Sequence, residues 1–281
     1  MVQVIDCKKL SNEILENIKN EAETFEIKPK LVCVVVGNDE ASRIYIKRKQ
    51  KACDKCGIIS DSIFFNENIS ENELINEIQK LNNDSSVNAI LVQLPLPNNI
   101  NKDKIFETIS PIKDVDCFNP YNVGKFFIDT KQNDILKPCT VDGCIAILDS
   151  LNVDFSGKKA VILGRSNIVG KPLIPALLDR NCSVLTLHSK SKNLIDELKT
   201  ADIIISAIGK PKFIKNEFVK EDTIIIDVGI NRIDDGTICG DCDFENVKDK
   251  CSFITPVPGG VGLMTVACLL KNTILCYKKQ L

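Results

Sequence analysis

The chain has one histidine, no tryptophan, three tyrosines and two methionines in 281 residues, and only 5% of it is aromatic. So little imidazole leaves few ways to build a histidine-rich metal centre. An excess of either charge is missing as well. The 36 Lys and Arg stand against 38 Asp and Glu, for a net −2 and a pI near 5.7, so no basic face is offered to nucleic acid or an anionic membrane. No apolar run approaches the ~20 residues of a membrane span, and Met1-Val-Gln-Val-Ile-Asp-Cys-Lys-Lys9 lacks the apolar core of a signal peptide. Nucleic-acid and membrane partners are therefore not expected, and the expected compartment is cytoplasmic. What the chain does have, 44% hydrophobic and 26% charged residues, suits a soluble protein of two domains with real cores.

Cysteine is the exception to this scarcity, at thirteen residues. Most sit inside apolar strand or helix patterns, as Cys33, Cys144, Cys182, Cys268 and Cys276 do, and they read as buried thiols rather than a disulfide framework. Two C-x-x-C pairs, Cys53/Cys56 and Cys239/Cys242, raise a zinc or thioredoxin-like reading. They lie far apart, and a single histidine cannot complete a shared site, so no metal is expected.

Periodicity gives an α/β chain. Lys8 to about Phe25 carries Leu10, Ile14, Ile18 and Ala22 on one helical face. The run Leu31-Val-Cys-Val-Val-Val36, without polar alternation, belongs inside a sheet covered on both faces. A turn at Gly37-Asn-Asp-Glu40 leads to a helix from about Ala41 to Cys56, closed by Gly57. Then come a strand from Ile58 to Phe65, a helix capped by the Ser70/Glu73 box, and a strand Ala89–Gln93 stopped by Leu94-Pro-Leu-Pro97. A helix from about Lys102 to Ile109 follows, and Cys117 to Lys137 reads as irregular. After a helix from about Val141 to Leu151, strands at Ala160–Leu163, Ser183–Leu187, Ile203–Ala207 and Thr223–Val228 alternate with helices, as in a doubly wound parallel sheet. An apolar helix from Leu263 to about Tyr277 is expected to return to the first domain. The expected division is 1–139 with 263–281 as one domain and 140–262 as a Rossmann-like one.

The most telling stretch is Ala160-Val-Ile-Leu-Gly-Arg-Ser-Asn-Ile-Val-Gly-Lys-Pro172, a strand running into a glycine turn that opens a helix. Such a turn aims backbone N–H groups and the helix dipole at a diphosphate. It matches neither G-x-G-x-x-G nor a Walker A loop, so it is a variant dinucleotide turn or a turn with no ligand. Where NAD enzymes place a carboxylate for the ribose 2′-OH, this chain has His188-Ser-Lys-Ser191. With Arg165 and Ser189 nearby, that favours a 2′-phosphate, hence NADP, over a merely solvated rim.

Ser42, Tyr45 and Lys49 share one stripe of the helix that follows the first core strand, where an aromatic beside a lysine could hold a planar ring against a proton-transfer group. A solvated Lys/Arg face is the plain alternative. Gln93 ends its strand at the same kind of edge. Asp114 and Asp116 are spaced for one face of an extended segment and could accept from an amino-heterocycle, or could simply start a turn. The loop from Pro256 to Gly262 is glycine-rich enough to let backbone approach a flat ring.

Together these residues resemble the bifunctional methylenetetrahydrofolate dehydrogenase/methenyltetrahydrofolate cyclohydrolase family, the FolD proteins. The resemblance runs through Val36-Gly37, Ser42-Arg-Ile-Tyr45 with Lys49, Ile90-Leu-Val-Gln-Leu-Pro-Leu-Pro97, Lys113-Asp-Val-Asp116 and Lys137-Pro-Cys-Thr140. It continues through Gly164-Arg-Ser-Asn-Ile-Val-Gly-Lys-Pro172, His188-Ser-Lys190, Gly240-Asp-Cys-Asp243 and Thr255-Pro-Val-Pro-Gly-Gly-Val-Gly262. It implies NADP-dependent oxidation of 5,10-methylenetetrahydrofolate and hydrolysis of the methenyl product to 10-formyltetrahydrofolate, within the one-carbon metabolism that feeds purine biosynthesis. It also implies a cytoplasmic homodimer.

Carried onto this sequence, the resemblance makes Lys49 catalytic, with Gln93 tuning it, Tyr45 stacking on the folate and Asp116 anchoring the pterin. Ser42, Leu94, Pro258, Gly259 and Gly262 join Tyr45, Gln93 and Asp116 in binding substrate. Gly164, Arg165, Ser166, Ile168, Val169, Gly170, Ser189 and Ile230 bind the dinucleotide, Arg165 and Ser189 at its 2′-phosphate.

Four positions depart from the family pattern. Cys117 stands where it usually has Gly, Val141 and Leu263 where it has Pro, and Cys242 where it has Val. Two other readings stay open: a dehydrogenase with weak cyclohydrolase activity or NAD preference, and a non-catalytic dinucleotide-sensing module, against which Tyr45, Lys49, Gln93 and Asp116 all speak.

Overall fold

The structure is a computed structural model that describes residues 3–37, 40–233 and 235–281, with the side chains of 40–44 outside the description. In chain order its elements are β1 (Gln3–Val4), α1 (Cys7–Glu23), β2 (Lys30–Val36), α2 (Glu40–Lys55), β3 (Ile59–Phe65), α3 (Glu71–Asn83), β4 (Ala89–Val92), α4 (Lys102–Thr108), α5 (Pro120–Ile128) and α6 (Cys139–Asp149). There follow β5 (Lys159–Leu163), α7 (Gly170–Leu178), β6 (Ser183–Leu187), α8 (Leu194–Lys199), β7 (Ile203–Ser206), β8 (Thr223–Asp227), β9 (Asn231–Arg232), β10 (Ile238–Cys239), α9 (Phe244–Val247), β11 (Cys251–Ile254) and α10 (Val261–Lys278). The expected turn at Asn38 and Asp39 lies outside the described residues.

Two compact units divide the chain. One comprises Met1–Ser11, Phe127–Lys131 and Thr140–Thr265, the other Asn12–Phe126, Gln132–Cys139 and Val266–Leu281. The first holds a six-stranded sheet of order β1-β11-β8-β7-β5-β6. Every pairing in it is parallel, so the fold is α/β with a Rossmann-like, doubly wound sheet. Strand order reverses between β5 and β7, because β6 lies on one side of β5 and the chain then crosses to the other. The central strands are continuous apolar runs, with Val161, Ile162, Ile203, Ile204, Ile205, Ile225 and Ile226 all at 0% exposure, as a sheet covered on both faces requires. Gln3 and Val4 pair with Phe253 and Ile254, which draws the first residues into this unit although they precede α1. Likewise Asp179 accepts from the backbone N–H and hydroxyl of Thr130, drawing 127–131 in.

The second unit is built on the parallel order β3-β2-β4. Buried side chains of β2 and β4 (Val32, Val34, Val36, Ile90, Val92) meet Leu74 and Ile78 of α3 and Ile105 and Phe106 of α4. Ser70 and Glu73 close the expected capping box, and Gly57 takes φ +68° after α2. The stretch 117–137 is not wholly irregular, as α5 shows. Pro120 occupies the helix's first position, where a missing N–H costs nothing, and Asn119 Oδ1 accepts the N–H of Tyr121 at 2.9 Å.

By length and mean hydropathy of 1.2, α10 would suit a membrane span, yet 67% of it is buried inside the protein. From Val266 onward it belongs to the second unit, the expected return of the C-terminal helix. The Tyr277 ring lies 4.7 Å from Phe25, Lys278 pairs with Glu21, and Asn272 Nδ2 donates to Val115 O at 2.8 Å and Lys137 O at 2.7 Å.

Lys113 does structural work in this unit. Its side chain is 4% exposed, and Nζ donates to Leu81 O at 3.1 Å and Asp84 O at 2.7 Å, a cation on the last carbonyls of α3. Burial pulls its amine below the usual lysine range. Lys113→Met, keeping the stem but not the donors, is expected to lose about 1–3 kcal/mol in urea unfolding. An unchanged midpoint would show the carbonyls to be satisfied without it.

Candidate active site

In the second unit, α2 starts beyond the carboxyl end of β2 and Gln93 directly follows β4, the strand beside β2. Parallel pairing therefore delivers both to the sheet edge where ligands of open α/β folds collect. Lys49 Nζ donates to Gln93 Oε1 at 3.0 Å, and Gln93 Nε2 donates to Leu94 O at 2.7 Å. The second bond fixes the amide so that its oxygen faces the lysine. Because that oxygen is neutral, it orients the amine without the charge pairing a carboxylate would impose. Leu94 leans its side chain on the apolar core, leaving its carbonyl to hold Gln93. Tyr45 lies one turn before Lys49, half-buried, its phenol pushed up by burial and drawn back by Arg48. The Ser42 side chain lies outside the described residues.

Asp114 and Asp116 do not share a face of an extended segment. Residues 111–117 form turns, with one bridge from Asp114 to Ile90, and the turns send the two carboxyls to different tasks. Asp114 is 1% exposed and accepts from Phe118 N at 3.1 Å, Asn119 N at 2.9 Å and Asn122 Nδ2 at 2.8 Å, which builds the start of α5. Burial pushes its carboxyl up to about 6 against those donors. Asp116 instead feels the charge of Lys49. Burial raises it, while the charge of Lys49 and a hydrogen bond with Cys139 pull the other way. The Cys33 thiol, pushed up to about 11 by burial, feels Lys49 and Asp116 as well, so Lys49, Gln93, Asp116 and Cys33 form one locus.

The first unit carries the glycine turn. Gly164 has φ +117°, and a Cβ there would stand 2.5 Å from Ala207 O, just past β7. A Cβ on Gly170 would collide with Gly164 O. Both glycines are thus demanded by close backbone approach at the strand-order reversal, which makes a cradle that only glycine leaves open. The helix N–H groups are not left bare as expected. Ser166 Oγ accepts from Val169 N at 3.2 Å and Gly170 N at 3.3 Å, so the turn folds onto its own serine.

Leu163 and Leu187 are register partners, which places Arg165 and Ser189 each two residues past a matched pair. Both are exposed. His188 holds the Ser189–Lys190 turn, its N–H donating to Ser191 Oγ at 2.9 Å and its Nδ1 accepting from Lys190 N at 3.1 Å. With no carboxylate in that turn, the residues fit a phosphorylated ribose. Ile168 and Val169 complete the turn, half-buried, and Ile230 is 51% exposed past β8. Pro258, Gly259 and Gly262 fall in this unit, in the loop and first turn leading into α10.

Comparison with known proteins gives the family. A family model described as tetrahydrofolate dehydrogenase/cyclohydrolase, NAD(P)-binding domain, matches residues 138–281, and one for the catalytic domain of the same family matches residues 5–116. The chain belongs to the tetrahydrofolate dehydrogenase/cyclohydrolase family. The bifunctional protein FolD of Campylobacter hominis is 49% identical over 283 residues, covering 100% of this chain and 99% of its own. The crystal structure of the Campylobacter jejuni FolD enzyme superposes with a TM-score of 0.96 at 45% identity over 100% of both chains. That of the Trypanosoma brucei enzyme, complexed with NADP and an inhibitor, does so at 0.94 and 32% identity, over 99% of this chain and 98% of its own. The chain is therefore an enzyme of tetrahydrofolate one-carbon chemistry with dehydrogenase and cyclohydrolase activities.

Two supports of this candidate site are not marked by any sequence expectation. Asn272 and Cys139 hold the segment bearing Asp116, Cys139 Sγ donating to Val115 O at 3.4 Å beside the Asn272 bond to the same carbonyl. A lone Asn in an apolar helix was the available signal. Ser166, expected at the dinucleotide, also closes its own turn by accepting from Val169 N and Gly170 N. For the glycine turn, Gly170→Ala is expected to weaken NADP binding by at least about tenfold in calorimetric titration, since the added methyl must displace backbone. Wild-type affinity in that variant would mean the turn is not the seat.

Proposed function

We propose that the second unit holds the folate and the hydrolytic chemistry and that the first seats NADP. The observation that carries this is the chain of hydrogen bonds from Lys49 through Gln93 to Leu94 O, set beside Asp116. In the dehydrogenase reaction 5,10-methylenetetrahydrofolate becomes the 5,10-methenyl cation, and NADP⁺ when bound supplies the hydride acceptor. In the cyclohydrolase reaction water adds to the methenyl carbon, one carbon–nitrogen bond of the bridge opens, and 10-formyltetrahydrofolate is left with one proton released.

Lys49 Nζ moves the proton in that hydrolysis, and Gln93 aims it. Tyr45 stacks on the flat ring system, and Asp116 accepts N–H bonds from the pterin. Ser42 and Leu94 complete the substrate's surroundings in this unit. Gly164, Ser166, Ile168, Val169 and Gly170 form the diphosphate turn, with Ile230 contributing apolar contact. Arg165 and Ser189 take the 2′-phosphate, Arg165 with a fixed charge and a fork of donors. NADP is accordingly the dinucleotide used, as in the trypanosomal relative. Cytoplasmic location, a homodimer, a role in supplying purine biosynthesis, and the absence of nucleic-acid or membrane partners complete the reading. The near-neutral charge balance and the burial of α10 support the last of these.

Two measurements test the roles. With nicotinamide reduction and methenyl absorbance followed separately, Lys49→Met should slow methenyl hydrolysis at least about 100-fold while NADP⁺ reduction continues. Hydrolysis at the wild-type rate would remove Lys49 from the mechanism. Arg165→Ala combined with Ser189→Ala should raise KM for NADP⁺ roughly tenfold or more and leave KM for NAD⁺ where it was. An equal rise for both nucleotides would place those residues elsewhere than at the 2′-phosphate.

A further inference from the structure

Asp241, in the Gly240-Asp-Cys-Asp243 segment, has no part in the chemistry assigned so far, yet its carboxylate is fully committed. Oδ2 accepts from Ser206 Oγ at 2.9 Å and Ile208 N at 2.8 Å, and Oδ1 accepts from Lys210 N at 2.9 Å and Asn231 Nδ2 at 3.0 Å. The residue is 0% exposed. Ile208 and Lys210 leave the carboxyl end of β7, directly after the Ala207 that Gly164 packs against, and Asn231 follows Ile230 past β8. One buried charge thus ties together the two loops beside the glycine turn.

Glycine makes room for the arrangement. A Cβ on Gly229 would collide with the Asp241 carboxyl, and one on Gly240 with that of Asp227. Asp227 in turn accepts from Asp241 N at 3.0 Å and Cys242 N at 2.8 Å, holding in place the residue that holds the loops.

We propose that Asp241 is a positioning residue for the dinucleotide, its carboxylate setting loops 207–210 and 229–231 at the carboxyl edge of the sheet and so governing cofactor affinity but not folate hydrolysis. The proposal rests on the reading that this unit seats NADP. An amide cannot take the place of the carboxylate. Ser206 can rotate its hydroxyl and Asn231 can flip, but the N–H of Ile208 or of Lys210 would face the new NH₂ in either orientation.

The test uses full-length Asp241→Asn, with NADP⁺ reduction and NADP-free methenyl hydrolysis measured on one preparation. KM for NADP⁺ should rise about tenfold or more, while kcat and KM for hydrolysis stay within about twofold of wild type. Asn231→Ala, which removes one loop tie, should raise the same KM by a smaller factor. Ser206→Ala, which removes a tie to strand β7 only, should leave it unchanged. If Asp241→Asn does not fold, the contrast between the Asn231 and Ser206 variants decides. Equal loss of both activities, an unchanged KM for NADP⁺, or a Ser206 variant behaving like the Asn231 variant would overturn the role. A wild-type enzyme that hydrolyses methenyl substrate but reduces no NADP⁺ would sink the NADP reading itself, and the wild-type rate tells the two failures apart.

Discussion

Where a parallel sheet stops, its loops still carry buried N–H and C=O groups that the ladder no longer satisfies, and side chains have to supply the missing partners. Both units meet this demand at the carboxyl edge, where open α/β folds collect their ligands. Ser166 closes the turn after β5, Asp241 and Asn231 join the loops after β7 and β8, and Gln93 ties itself to Leu94 O after β4. Among the described residues no buried side-chain nitrogen or oxygen lacks a partner. The same groups that complete the fold therefore also fix the proposed site residues. Gln93 serves both ends, one half of its amide spent on backbone and the other on Lys49.

The segment around Asp116 shows how far such fixing can absorb a change. Cys117 sits at φ +59°, a left-handed conformation that costs a non-glycine residue roughly 1–2 kcal/mol, and the family usually has Gly there. The thiol offsets part of this by burying itself and donating to Leu136 O at 3.3 Å. The neighbours do the rest. Asp114 anchors the chain after it through three donors, and Asn272 and Cys139 hold Val115 O before it. These bonds pin the backbone on both sides of Cys117 and so hold the segment that carries Asp116. Leu263 is a simpler case: its N–H donates to Gly260 O at 3.0 Å in the first turn of α10, a bond a proline could not make.

Much of this was legible in the sequence wherever the signal was local. The runs 31–36, 160–163 and 203–207 could only be buried strands, and Ser70 with Glu73 could only cap a helix. The Lys49, Gln93 and Gly164 positions followed from strand ends. What the letters could not show depended on partners distant in sequence. Asp114 and Asp116 look alike at a spacing of two, and only the donors of 118–122 and the charge of Lys49 separate them. Cys117 to Lys137 reads as irregular, yet Asn119-Pro120 within it is a helix cap followed by a first-turn proline, and packing decided for α5. The pairing of β1 with β11, some 250 residues on, has no local trace. Gly240-Asp-Cys-Asp243 was visible as a motif, but its meaning lies in the loops it gathers.

The thirteen cysteines yield to the same physics. Twelve are buried and Cys239 is half-exposed, and among the described residues none is joined in a disulfide. Burial pushes Cys7, Cys53 and Cys251 up to about 12 and Cys33 to about 11, with Cys144, Cys242 and Cys276 raised too. The thiolate is the nucleophile and the metal ligand, so such thiols are nearly inert at neutral pH whatever their spacing. Several thiols donate to backbone carbonyls instead: Cys56 to Leu15 O, Cys117 to Leu136 O, Cys182 to Phe155 O and Cys251 to Val247 O. A residue the size of a small apolar side chain, able to donate weakly to a carbonyl in a dry interior, is being used as packing material. The C-x-x-C pairs follow from that use. In Cys53/Cys56 both thiols turn inward at the end of α2, and in Cys239/Cys242 one does, so their spacing reflects which positions of the local structure face the core.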